Sequence, residues 1–236
     1  MKQLITILGL IVLTYFNINA QTTNRQSLKH AECLFGFSGN TKAVNINDCK
    51  EIWKWTFDGT WYVYEEPVEE FAQMYKYKVV LKSGNRYIVS MAEWGGGGNG
   101  FFTNLYFIEL KGNEFILLDD ISQDAHFRGI DLESTKIAYG YLIYSVYITP
   151  ANLMSWYGKP APGEIYDDCN ACTVATAKYR YNPYTRKREF IEIELQKAYT
   201  IGDDHFMEVY KQYIQMGKTH LKASDLKTFI AKARNK

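Results

Sequence analysis

The sequence predicts a mainly β protein, an antiparallel meander closing as a barrel or sandwich, with helices at its C-terminal end. Three observations carry this. Aromatic residues are abundant, with 19 Tyr, 13 Phe and 5 Trp in 236 residues, and they fall largely in alternating segments, as in pleated strands. Asp-Gly, Gly-Asn and Asn-Pro dipeptides separate those segments, and each favours a turn. From about residue 203 the apolar period changes from two to that of a helix.

Residues 1–20, MKQLITILGLIVLTYFNINA, have the form of a secretory signal peptide: one basic residue, Lys2, an apolar run from Leu4 to Phe16, and a polar end closing on the small Ala20. The run is shorter than the roughly 20 apolar residues of a spanning helix. Position 21 is Gln rather than Cys, which argues against a lipid anchor. The expected product, 21–236, is a single β-rich domain without stable membrane insertion, periplasmic or secreted, in an oxidising compartment. A net charge of only +1 for the whole chain argues against a nucleic-acid partner.

Residues 21 to about 30 are polar, and structure is expected from Ala31. In EIWKWTFDGTWYVY (51–64), Asp58-Gly59 divides two aromatic runs, predicting two strands. KYKVVLKSGNRYIVSMAEW (76–94) and NLYFIELKGNEFILLDDI (104–121) repeat one frame, an apolar strand that reaches Gly-Asn and returns. Both are expected hairpins, followed by STKIAYGYLIYSVYI (134–148) and by AKYRYNPYTRKREFIEIEL (177–195), turning at Asn182-Pro183. Consecutive hairpins imply a meander of about eight to ten strands. Between them, Thr149 and Pro150 suit a helix cap and its first position, so a short helix near 150–157 is expected over one end of the sheet, as a plug or a lid.

The chain is expected to be helical from about 203 to 235. Phe206, Val209, Tyr210, Tyr213 and Ile214 share one face of a first helix, with Asp203 and Asp204 at its start and Gly217 at its stop. A second helix starts at Ser224, with Leu226, Phe229, Ile230 and Ala233 inward. Its lysines make a basic, solvated face that could also meet an anionic partner.

Several stretches invite a chemical reading. EWGGGGNGFF (93–102) lacks the lysine and hydroxyl of a phosphate loop and precedes an aromatic strand instead of a helix, so nucleotide binding is not indicated. It is expected to be an inter-strand loop bordered by Trp94, Phe101 and Phe102. Cys33, Cys49, Cys169 and Cys172 are an even set, expected as disulfides, most simply 33 with 49 and 169 with 172. The C-x-x-C of the second pair lacks the context of a redox site, and Asp167 and Asp168 beside it oppose a thiolate. No second C-x-x-C completes a zinc site. Asp120, Ser122, Asp124 and Asp131 match positions of a calcium loop, but Ala125 stands where glycine is needed and Asp131 where a bidentate glutamate is needed. No cofactor is therefore expected, calcium being the one candidate metal. His126, between Asp124 and Arg128, is the one histidine set among charged groups, and there is no HExxH or G-x-S-x-G pattern. The carboxylate pairs Glu65-Glu66, Glu69-Glu70 and Asp167-Asp168 could serve a glycosidase, yet adjacent strand residues point to opposite faces.

The function expected from these features is that of an exported, non-catalytic binding or interaction protein. Its glycan, peptide or protein ligand would occupy an aromatic-lined cleft near Trp94, Phe101, Phe102, Trp156 and Tyr157. The alternatives are an exported hydrolase that uses carboxylates on an envelope or nutrient polymer, and a structural envelope protein.

Overall fold

Strand alternation and turn chemistry are realised throughout the computed structural model, which describes residues 26–37, 40–49, 53–66, 73–94, 102–122, 129–158, 173–197 and 205–234. The proposed leader, the glycine run, His126 and the second cysteine pair lie outside these residues. The first sheet contains β1 (Ala43–Asn45), β2 (Thr56–Phe57), β3 (Tyr62–Glu66), β4 (Gln73–Ser83), β5 (Arg86–Trp94), β6 (Phe102–Lys111) and β7 (Glu114–Asp120), in the order β1-β7-β6-β5-β4-β3-β2. The second contains β8 (Ile130–Ala138), β9 (Tyr141–Ile148), β10 (Ala175–Asn182), β11 (Lys187–Leu195) and β12 (His220–Leu221), in the order β12-β11-β10-β9-β8. Each is an antiparallel meander except that β1 crosses to pair with β7. Neither strand order returns to its start, so of the two closures expected, a pair of open sheets is realised rather than a barrel. Contacts gather the chain into two units, each holding most of one sheet, with the start of β6 grouped in the second and the end of β8 in the first.

In the first unit, Asp58 builds the β2–β3 turn by accepting the N–H groups of Thr60 at 2.8 Å and Trp61 at 2.7 Å. Those two donors stabilise the carboxylate and hold its pKa below the ordinary value. At the two Gly-Asn turns, Gly84 and Gly112 have φ of 60° and 61°, which a side chain would strain. Bulges interrupt the β4–β5 pairing at Val79/Leu81 and the β6–β7 pairing at Phe107/Ile108. One face of the sheet buries Tyr77, Val89, Met91, Ile108 and Phe115. The 3-10 segment Ala31–Gly36 contributes Ala31, Cys33 and Leu34 to the same core. A Cys33–Cys49 disulfide closes this segment back onto the residues that follow β1. The Tyr77 hydroxyl accepts the Leu28 N–H at 3.1 Å, and the Tyr106 hydroxyl donates to the Phe37 carbonyl at 3.4 Å. Burial of these two phenols pushes both pKa values up to about 12.

In the second unit, Tyr139 and Gly140 take φ of 52° and 76° at the β8–β9 turn, the double positive φ that matches strand twist. Asn182 makes the β10–β11 turn, its side-chain oxygen accepting the N–H groups of Tyr184 at 2.9 Å and Thr185 at 3.2 Å. Along β10, Ala175, Ala177, Tyr179 and Tyr181 are buried, while Lys178 and Arg180 pair with Glu192 and Glu189 of β11. The helices are α1 (Pro150–Met154), α2 (His205–Gln215) and α3 (Ala223–Arg234). α1 starts at the expected cap, where Thr149 and Asn152 bond each other's backbone N–H. α2 ends as its glycine predicts: Gly217 N–H reaches Ile214 O and Lys218 N–H reaches Tyr213 O, a Schellman closure. Of the expected inward residues of α2, Ile214 is only half-buried and Met207 takes a core position; the four expected for α3 are all buried. The Tyr210 hydroxyl lies 2.6 Å from Val174 O and 2.7 Å from Gln196 O, sharing its proton between the start of β10 and the end of β11.

Candidate functional site

An aromatic face at the β2 edge of the first sheet is assembled by register. Tyr62 and Tyr64 of β3 stand opposite Tyr77 and Tyr75 of β4. Since every second residue shares a face, all four rings lie on one side of the sheet. Trp53 and Trp55 enter from the segment before β2, and Phe35 from the 3-10 segment. Trp53 stacks on Tyr64 with centroids 4.5 Å apart and meets Tyr75 at 4.3 Å. Phe35 meets Trp53 at 5.5 Å and the edge of Tyr75 at 5.1 Å. Deeper in, Trp55 meets Tyr77 edge-on at 4.7 Å, and Tyr62 stacks on Tyr77 at 4.9 Å. Tyr77 is fully buried, but Phe35, Trp53, Trp55, Tyr64 and Tyr75 keep part of their surface in water.

Carboxylates accompany the rings. Glu66 follows Tyr64 at the next position on the same face, opposite Gln73, and Glu93 of β5 stands opposite Tyr75. The Tyr75 hydroxyl donates to the Gln73 side-chain oxygen at 2.6 Å. Its pKa is raised first by burial and then by the negative charges of Glu93 and Glu66. Glu32 is buried at the inner side of the cluster. Its Oε2 accepts the Trp55 indole N–H at 3.3 Å. Its Oε1 has no hydrogen-bond partner among the described residues, although His30 Nδ1 lies 3.4 Å away at ion-pair range. No family model, curated protein or solved structure matches the chain.

The ligand-binding residues expected from sequence are Trp94, Phe101, Phe102, Trp156 and Tyr157. Trp94 ends β5 opposite Met74, so it lies on the sheet face opposite to Tyr75 and Glu93. Phe102 opens β6, and Phe101 is outside the described residues. Trp156 and Tyr157 follow α1 in the second unit, where Trp156 rests on Phe190 with centroids 5.4 Å apart. The Tyr157 hydroxyl donates to the Ala223 carbonyl at 2.9 Å. Arg234 of α3 donates to the carbonyls of Met154 and Gly158. These bonds tie α1 and its following turn to α3.

Of the candidate calcium residues, Asp120 ends β7, Ser122 lies in the turn after it, and Asp131 is the second residue of β8; Asp124 is outside the described residues. The Asp131 carboxylate accepts the Glu133 N–H at 3.2 Å and bonds the Tyr147 hydroxyl. Among the described residues, no group of three or more His, Cys, Asp or Glu side chains gathers as a metal site.

The aromatic face did have a sequence signal, one that composition alone hides. Trp53-x-Trp55, Tyr62-x-Tyr64 and Tyr75-x-Tyr77 are aromatic pairs at a spacing of two, in three successive segments. Each pair marks one side of a strand or extended segment; only the register aligns the three pairs.

Proposed function

We propose that the protein is an exported, non-catalytic binding protein that engages its ligand through the aromatic face around Trp53, Tyr64 and Tyr75. The carrying observation is that these rings stack on one another yet stay partly solvated, while the core beside them is fully buried. Half-exposed aromatic surface offers a large apolar contact at low conformational cost. Export is supported by the signal-like N-terminus and by the Cys33–Cys49 disulfide, a bond that persists in oxidising compartments. Among the described residues, no helix is long and apolar enough to cross a membrane.

Tryptophan fluorescence titrated with glycan and peptide pools tests this reading, because Trp53 and Trp55 belong to the face itself. A ligand-dependent change that Trp53→Ala abolishes is the expected result. Binding that survives in both Trp53→Ala and Tyr64→Ala would place the site elsewhere.

One observation favours the hydrolase alternative: Glu66 and Glu93 share the face with the rings, as paired carboxylates flanking a sugar would. Release of reducing ends from a polysaccharide panel, lost in Glu66→Gln or Glu93→Gln, would select it.

A further inference from the structure

Charge separates the ligand classes that an aromatic face can hold. Along β3, residues 73–79 of β4 and residues 87–93 of β5, the positions on the ring-bearing face hold two glutamates, Glu66 and Glu93, and no Lys or Arg. The next cation on this face, Lys82, lies toward the other end of β4 with its Nζ 5.5 Å from the Tyr87 ring centre. β3 and β5 flank β4, so the two glutamates sit on strands about 10 Å apart and straddle Tyr75. Glu32 adds a third carboxylate at the Trp55 indole, buried and with one oxygen lacking a hydrogen-bond partner among the described residues.

We propose that this face binds a basic peptide by its lysine side chain, with Trp53, Tyr64 and Tyr75 facing the alkylammonium and Glu66 and Glu93 supplying the countercharge. The inference rests on the binding reading above and names its ligand class. Aromatic faces carry negative electrostatic potential and attract ammonium groups, most strongly where water is partly excluded. Carboxylates at the rim add steering that a neutral ligand does not feel. A neutral glycan would use the same rings but leave both rim charges unanswered. The four methylenes of lysine also match the apolar ring surface, while the ammonium reaches the carboxylates.

The test titrates the full chain, by tryptophan fluorescence, with an end-capped pentapeptide bearing one central lysine, the same peptide with that lysine acetylated, butylammonium, and a neutral oligosaccharide. The expected result is saturable binding of the lysine peptide, weakened about threefold to tenfold by acetylation and by the Glu66→Gln/Glu93→Gln double variant, with salt acting in the same direction. Trp53→Phe should retain most of the affinity and Trp53→Ala should lose it, with unchanged circular dichroism showing that both variants fold. Equal binding of the acetylated peptide, or an unchanged double variant, overturns the inference. Butylammonium binding as tightly as the peptide overturns the peptide as source. If the oligosaccharide alone binds and Trp53→Ala abolishes it, the cation inference fails while the binding reading stands. If no probe responds to any variant of the face, both fail.

Discussion

Single polar atoms decide several local structures. Asp58 accepts two backbone N–H groups that no strand partner serves, so Asp58→Ala is expected to cost about 1 kcal/mol in urea unfolding, and Asp58→Asn less, since an amide oxygen also accepts. The sign with pH follows from the lowered carboxyl pKa. The stabilisation is present above the unfolded value near 3.8 and is lost as pH falls through the lower folded value. The gap between wild type and Asp58→Ala should therefore close in acid; a gap that widens would refute the assignment. Asp58 was legible in sequence because Asp-Gly names a turn by itself. Trp53 was not, because nothing local tells a core tryptophan from a partly solvated one; its setting depends on where Tyr64 and Tyr75 stand in register.

Elements were legible wherever the signal was local. The β2–β3, β4–β5, β6–β7 and β10–β11 hairpins came from their turn dipeptides, α1 from Thr149-Pro150, and the end of α2 from Gly217. The bulges at Val79/Leu81 and Phe107/Ile108 carry no glycine to announce them, and β1 is too short to show a period. Its strand character comes from Phe115 and its neighbours on β7, far along the chain. Helix α1 is only five residues long, below what is stable alone, and α3 supplies its support. Arg234→Ala removes the donor to Met154 and Gly158 and should cost about 2 kcal/mol. Faster hydrogen exchange at the amides of Ser155 and Gly158 is the matching readout; unchanged protection there would show that α1 stands without the arginine. The Cys33–Cys49 bond spans 16 residues, a loop for which chain entropy implies about 3 kcal/mol. A Cys33→Ser/Cys49→Ser variant should lose stability on that scale under oxidising conditions, and a variant as stable as wild type would contradict this.

At the scale of the whole molecule, the mainly β antiparallel meander followed from alternation and consecutive hairpins, but the choice between a closed barrel and two open sheets did not, because strand count alone fits both. Tyr77 and Tyr106 tie whole-chain stability to alkaline pH. Both phenols rise from 10.0 to about 12 on folding through burial, so the stability from keeping them neutral is complete below pH 10 and lost as pH climbs through about 12. Urea unfolding should weaken across that interval together with phenolate absorbance, and an unfolding free energy flat through it would remove these residues as the cause. The crossing of β1 has a consequence in time. A chain made from its N-terminus holds residues 43–45 long before 114–116 exist, so the far edge of the first sheet must wait, whereas the Cys33–Cys49 loop and every hairpin from β2 onward need only neighbouring sequence. Within the first sheet, the strand made first is thereby the last to meet its partner.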